Sequence, residues 1–307
     1  MKKVAVVTMQ YNEAFYVSRW IEYYSGLVGR ENLYVVDHDS DEEIRETLQG
    51  VSVVRYPRSA LDDQERARFI SKLVGALLEL YETVIYCDCD EFISHDPRRF
   101  ESFGDWLDAT DFEHATCIGF NVTPMLQEEN AALLDGPVLR QRGHVRFVSP
   151  MCKTLIVRKP VRWGGGFHHA NRPPHFSGAY LFHLKYADLG ERVHRQSLTR
   201  GLDFAQADQG HHQRNSDLDL LNLYRSFDRL ERREWEDEAI ERYCRSFIEG
   251  IKPSERGGDV ERRSLAIARQ LPRLVLTRTP QAVSRSQATA GLEGGALWAA
   301  CAPCRLR

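Results

Sequence analysis

The chain has 307 residues, 42% of them hydrophobic and 28% charged, with a formal net charge of −3. That is enough chain for a soluble globular protein of one large domain, or one and a half, with a real core. The near-balanced charge gives no basic surplus for nucleic acid, and no apolar run approaches the ~18 residues of a membrane span.

The opening Met1-Lys2-Lys3 runs straight into Val4-Ala5-Val6-Val7. That run is too short for a secretory signal core and reads as a strand, Lys3 to Met9, apolar on both faces. Asn12 is placed to cap a helix whose apolar side is Phe15, Trp20, Tyr23, Tyr24 and Leu27. Leu33 to Val36 reads as a second strand, ending in Asp37-His38-Asp39-Ser40-Asp41. Glu42 to Leu48 reads as a short helix stopped at Gly50, and Val51 to Arg55 as a third strand. Asp62 and Asp63 open a long helix with Phe69, Leu73, Leu77 and Leu80 at steps of four or three. Thr83 to Cys87 is a fourth strand, entering Asp88. This β-α alternation predicts an α/β fold with a parallel sheet, right-handed crossovers and helices on both faces.

Further on, Ala115 to Thr123 and Lys153 to Val157 read as strands, and Pro124 to Arg142 as a polar loop. Gly164-Gly165-Gly166 reads as a hinge or a close backbone approach. Leu189 to about Arg269 turns helical and charged, with Leu218 to Leu230 and Glu234 to Ile251 the clearest helices; from Thr279 the composition is that of a disordered tail. The domains expected are therefore 1–188 for the α/β unit, 189–278 for a helical C-terminal region on the acceptor side, and 279–307 for the tail. Seven cysteines without framework spacing fit a reducing cytoplasm. Cys301-x-x-Cys304 lacks the second pair or neighbouring His that a zinc site needs.

Ligands of an open α/β sheet bind outside the carboxyl ends of its strands. Four strand ends gather there: Thr8 to Glu13, Asp37 to Asp39, Tyr56 to Arg58, and Asp88 to Glu91. The last is the sharpest, because three carboxylates within four residues repel one another unless a cation offsets them. On an extended segment Asp88 and Asp90 point to one side, and an all-oxygen set suits Mn²⁺ or Mg²⁺ completed by phosphate and water. The plainer alternative is an acidic surface loop with Asp90 or Glu91 capping a helix.

Three segments, Val6 to Glu13, Val35 to Asp41 and Ile85 to Phe92, match in order and spacing the motifs of a GT-A fold glycosyltransferase. The resemblance is to the family 2-like kind with an Asp-x-Asp-Glu-Phe signature, and it covers about the first 95 residues. The chain departs from the family at Asp39, where Gly is usual. The resemblance implies a Rossmann-like, mostly parallel sheet with a C-terminal helical extension. It implies Asp37 and Asp39 at the nucleobase and ribose, Asn12 and Glu13 lining the nucleotide pocket, Asp88 near ribose and metal, and Asp90 as main metal ligand. A third metal ligand from a downstream His is also implied. His168, after the Gly run, is the first candidate and His169 the second, whereas His183, on an apolar strand, reads equally well as a core histidine. Lys153 is a candidate for the diphosphate, with Arg158, Arg162 and Lys185 beside it. Glu128 and Glu129 are the candidates for the catalytic base, with Asp135 a third.

The function so implied is metal-dependent, inverting transfer from a nucleotide-sugar, a UDP-sugar by the Asp-lined end of strand two. The acceptor would be a glycan or lipid-linked glycan in bacterial surface polysaccharide or glycan assembly. The protein would be cytoplasmic, with peripheral contact at the inner face of the membrane as an option for its Arg-rich helices. The rivals are a nucleotidyltransferase, which wants a Gly-rich basic loop where Gln10-Tyr11-Asn12-Glu13 stands, and a phosphohydrolase, which wants its Asp pair after the first strand. A nucleotide- or glycan-binding protein without turnover is the third.

Overall fold

The computed structural model describes residues 4–97, 99–201 and 216–230, with backbone alone at 232–233 and 275–276. The expected alternation is found: β1 (Val4–Gln10), α1 (Ala14–Val28), β2 (Leu33–Asp37), α2 (Glu42–Thr47), β3 (Ser52–Arg55), α3 (Asp63–Leu77) and β4 (Thr83–Tyr86). These four strands are parallel in the order β4-β1-β2-β3, with Val6 opposite both Leu33 and Ile85. β1 is buried along its whole length, as a continuous apolar run requires. α1 packs against β1 and β2, and α3 against β4.

The helical stripes are found in part: Trp20 and Tyr24 of α1 and Leu77 of α3 are buried as their spacing predicts. α3 buries Ala67, Ile70, Val74 and Leu77, while Phe69 and Leu73 lie at the margin and Leu80, beyond the helix end, is 68% exposed. α3 is capped by Asp62, whose carboxylate accepts from the amides of Gln64 and Glu65. Asn12 does not cap α1; it has a positive φ of 50° and clamps the neighbouring turn instead.

After β4 the chain turns back. β5 (Glu91–His95) is followed by α4 (Phe103–Ala109), β6 (His114–Val122), α5 (Val138–Gln141), β7 (Val145–Phe147), β8 (Thr154–Val157) and β9 (Phe176–His183). β8 pairs antiparallel with both β4 and β6 and carries the sheet onward to β7. β9 runs parallel to β6 and antiparallel to β5, which sets His183 opposite both Glu91 and Asn121. Gly119 is required here: a Cβ on it would lie 2.2 Å from the Met151 backbone. α6 (Leu189–Arg200) and α7 (Asp217–Phe227) follow, and the two-residue strands β10 (Arg232–Arg233) and β11 (Val275–Leu276) continue the sheet beyond β7.

One apolar core spans both halves of the sheet, and a small second one joins Met125 to Leu220, Tyr224 and Phe227 of α7. The expected helix Glu234 to Ile251, the tail and Cys301/Cys304 lie outside the described residues. Among the described residues no helix is long and apolar enough to cross a membrane, and Cys87, Cys89, Cys117 and Cys152 are free thiols.

Candidate active site

The strand ends of β1, β2 and β4 open, with the end of β9 and one side of α6, onto a cavity of about 690 Å³. Asp88 and Asp90 both line it, but they do not converge as an extended segment would have them do. Residues 88–91 form a turn closed by the Glu91 amide donating to the Asp88 carbonyl at 2.9 Å. Asp88 therefore turns to the Tyr86 hydroxyl at 3.0 Å, Arg66 at 3.6 Å and Lys153 at 3.7 Å. Asp90 turns to Arg195 and to His183 Nε2, 3.2 Å away. Glu91, fully enclosed, staples the turn: one oxygen accepts from the Asp88 amide at 3.1 Å and the other from Lys153 Nζ at 2.6 Å.

The carboxylate crowding is thus answered within the protein. Arg195 bridges Asp90 and Glu13, the latter at 2.7 Å, while Arg66 and Lys153 serve Asp88 and Glu91. Crowding alone therefore calls for no metal. Burial would raise the Asp90 pKa, but Arg195 and then His183 hold it well below the usual carboxylate range. Burial pushes Glu13 up to about 6 against the pull of Arg195.

The case for an ion rests instead on His183. Its Nδ1 lies 2.8 Å from Asn121 Oδ1, an oxygen that can only accept, so Nδ1 carries the proton. Burial lowers the His183 pKa against the pull of Asp90. A protonated ring donates from Nε2 to Asp90, the contact by which His183 lowers the Asp90 pKa; a neutral ring with its proton on Nδ1 instead presents the Nε2 lone pair to a carboxylate oxygen, two acceptors facing each other. A divalent cation resolves that arrangement, and the hydrogen bond to Asn121 is the kind that orients a metal-ligating histidine. Among the described residues no cluster of three or more His, Cys, Asp or Glu side chains is set for an ion. A protein pair completed by phosphate and water is how Mg²⁺-type ions are commonly held, so the residues fit such an ion.

His168 also lines the cavity, with its Nδ1 held by the Pro150 carbonyl at 2.7 Å, but no contact joins it to Asp88 or Asp90. The histidine brought to Asp90 is His183. Its partner is delivered by the β5–β9 pairing, and β5 is hidden in sequence behind an acidic start. The apolar run Ala179 to Phe182 just before His183 was the available signal. His169 packs beside Gly164, where a Cβ would meet its ring.

At the opposite end, Asp37 does not open onto the cavity. It is completely buried, and Oδ1 accepts from Gln10 Nε2 at 2.7 Å and the Ser40 amide at 3.3 Å. Asp39, in the left-handed region at φ 62°, faces Arg55 at 2.9 Å. Asn12 and Asp41 exchange two hydrogen bonds, 3.0 and 2.9 Å, that tie the two turns together. What faces the cavity at this end is Tyr11, His38 and Arg58, with the Arg58 guanidinium 3.8 Å over the Tyr11 ring. Glu128 and Glu129 do not line the cavity; both face His144, at 3.7 and 3.2 Å, and Glu129 accepts from the Gly143 amide. Asp135 is fully exposed beside Arg19.

At the far side Lys185, Tyr186, Arg192, Arg195 and Thr199 complete the wall. Asp188 caps α6, accepting from the Glu191 amide at 2.9 Å, and also holds the Leu133 amide at 2.7 Å. Burial, then Arg192 and Arg195, lowers the Lys185 pKa to about 8.

No family model matches the sequence, and none of the curated proteins does. Solved structures align only loosely. Glucosyl-3-phosphoglycerate synthase from Mycobacterium tuberculosis, solved with Mn²⁺, UDP and glucosyl-3-phosphoglycerate, is 18% identical over 43% of this chain and 47% of its own, with a TM-score of 0.25. A mannosyltransferase from Pyrobaculum calidifontis, in complex with GDP-Man and Mn²⁺, is 17% identical over 40% and 35%, at 0.24. Mannose-1-phosphate geranyltransferase from Thermus thermophilus is 14% identical over 91% and 75%, at 0.30. The chain spans less than half the length of the first two. Likeness at this level carries no functional argument, so the reading stands on the cavity itself.

Proposed function

We propose that the protein is a divalent-metal-dependent glycosyltransferase. It binds a nucleoside-diphosphate sugar in this cavity and transfers the sugar to a hydroxyl acceptor with inversion. The observation that carries this is the His183–Asp90 pair, an imidazole nitrogen fixed by Asn121 as a lone-pair donor and aimed at a buried carboxylate beside the Asp-x-Asp turn.

Mn²⁺ or Mg²⁺ held by Asp90 and His183 supplies, when bound, Lewis-acid stabilisation of the charge that grows on a departing diphosphate. Asn121 fixes the imidazole tautomer. Lys153 and Arg66 hold Asp88 in place. Tyr11, His38 and Arg58 offer an aromatic and cationic wall on which a nucleobase stacks. The preference for uracil rested on Asp37, which is internal, so UDP enters as the first nucleotide to test. Glu128 and Glu129 face His144, and this reading assigns them no base role. A glycan or lipid-linked glycan acceptor and a place in bacterial surface glycan assembly follow from the motif resemblance alone.

The test is a thermal-shift titration with UDP and GDP, with and without Mn²⁺, followed by release of free nucleotide from the matching nucleotide-sugar. A nucleotide at 100 times its Kd stabilises the protein by about 2.7 kcal/mol. That gain is expected only with Mn²⁺, and is expected to vanish in Asp90→Asn and His183→Asn. Nucleotide binding indifferent to Mn²⁺ and to both variants sinks the reading. Metal-dependent binding without release of nucleotide favours the binding protein.

A further inference from the structure

Six cations line the cavity, and they are not alike. Arg66, Lys153 and Arg195 are paired with the cavity's carboxylates, Glu13, Asp63, Asp88, Asp90 and Glu91. Arg58 lies on the Tyr11 ring and beside His38. Lys185 and Arg192 have no carboxylate, carbonyl or hydroxyl partner among the described residues. Arg192 is 4% exposed, and its Nε is enclosed without a hydrogen-bond acceptor.

Both side chains gather around one ring. Lys185 Nζ lies 5.9 Å and the Arg192 guanidinium 6.0 Å from the Tyr186 centroid. Tyr186 is itself held from behind by Tyr224 and Phe227, whose ring centroids are 6.1 and 5.7 Å away, and the Tyr224 hydroxyl donates to the Tyr186 carbonyl at 2.8 Å. The capping of α6 by Asp188 fixes Arg192 from the other direction. The two cations are therefore carried by a supported framework. Arg195, one helical step from Arg192 on the same face, adds a third positive charge nearby.

Burying a charge without a counter-ion is costly, and a ring face offsets little of that cost. An anion with several acceptor oxygens offsets it fully: a phosphoryl group accepts from a planar guanidinium fork and from an ammonium at once. We propose that Lys185 and Arg192, gathered around Tyr186, form a phosphate-binding subsite separate from the Asp90–His183 pair. Two sources of phosphate fit that chemistry, the diphosphate of the donor and a phosphoryl group on the second substrate. The subsite rests on the reading above for its place in a transfer reaction, not for its chemistry.

The test is calorimetric titration of the full chain with inorganic phosphate, without metal or nucleotide, and separately with UDP in the presence of Mn²⁺. Lys185→Met, Arg192→Met and the double variant keep side-chain length and remove charge. Wild type is expected to bind phosphate, and the double variant to bind it about tenfold or more weakly, the scale of lost hydrogen bonds to a charged group. Their melting temperatures are expected to stay level or rise, because an unpaired buried charge is removed; a merely structural role would lower them. If UDP affinity falls in step with phosphate affinity, the subsite holds the donor's diphosphate. If UDP affinity is unchanged, it holds a phosphoryl group of the second substrate. No phosphate binding by wild type, or binding that the double variant leaves intact, overturns the subsite. Phosphate binding with no Mn²⁺-dependent binding of either UDP or GDP would sink the glycosyltransferase reading and leave the subsite standing.

Discussion

At the ends of β1 and β2 most polar side chains answer one another, Asp37 Oδ2 being the exception with Arg45 4.0 Å away; of the cations facing the cavity from the end of β9 and from α6, only Arg195 finds carboxylate partners among the described residues. Gln10 bridges Asp37 and Ser40, Asn12 and Asp41 exchange hydrogen bonds, and Asp39 meets Arg55. Across the cavity, His183 Nε2 faces an oxygen, and Lys185 and Arg192 face only a ring. Both regions look polar and functional in sequence. The first spends its polar groups on holding two turns together, and the second leaves them directed at something outside the chain. A charged residue near a site is evidence of a ligand only once its partners within the fold have been counted.

The sharpest way to break that comparison is Asp37→Ala. As part of the framework, its carboxylate accepts from Gln10 and from the Ser40 amide while completely buried. Losing hydrogen bonds to a buried charged acceptor is expected to cost about 3 kcal/mol in urea unfolding. The folded fraction should bind nucleotide normally. A variant of wild-type stability that has lost nucleotide binding would move Asp37 back into the ligand site.

The parallel half of the fold was legible because each element announces itself locally. β1, β2 and β4 are short apolar runs, and Asp62 marks the start of α3. The site was legible only in part. Asp88 and Asp90 stand where the motif placed them, but their directions depend on a turn that period-two reasoning replaces with a strand. His183 was out of reach because its neighbour is chosen by β5–β9 register, a contact between residues about ninety positions apart. Arg195 was out of reach as well. Nothing in the spacing of α6 says that this face turns toward Asp90 and Glu13. The apolar stripes of α1 and α3 were legible in part: Trp20, Tyr24 and Leu77 fill the core, while Phe69 and Leu73 cover its edge.

Glu13 stands between the two regions, on the β1 turn but paired with α6, and its titration measures which side it belongs to. Its side chain is 16% exposed, and its pKa is raised from 4.5 to about 6. A carboxyl with a raised folded pKa contributes stability that is fully present below pH 4.5 and lost as pH rises through 6. The shift corresponds to about 2 kcal/mol. The stability of wild type relative to Glu13→Gln is therefore expected to fall by about that amount between pH 4 and pH 7, read from urea midpoints of both proteins. A flat difference would mean that Arg195 balances Glu13 completely, placing it among the answered groups.

The smallest effect concerns Arg195, the one group that answers a carboxylate and competes with a ligand at once. It donates to the same Asp90 oxygen that faces His183. An ion joining Asp90 and His183 must therefore share that oxygen with the guanidinium or displace it. Arg195→Gln removes the resident charge and keeps a donor of similar reach toward Glu13. Mn²⁺ alone, without nucleotide, is then expected to bind about tenfold tighter, or about 1.4 kcal/mol, in a paramagnetic resonance titration of free Mn²⁺. The gain should disappear when His183→Asn is added, because the second ligand is then missing. If Arg195→Gln instead abolishes Mn²⁺ binding, the guanidinium positions Asp90 for the ion and does not compete with it. Arg195 would then belong with Gln10 and Asn12, as part of the framework, and the boundary between the two regions would fall between Arg192 and Arg195, within a single turn of α6.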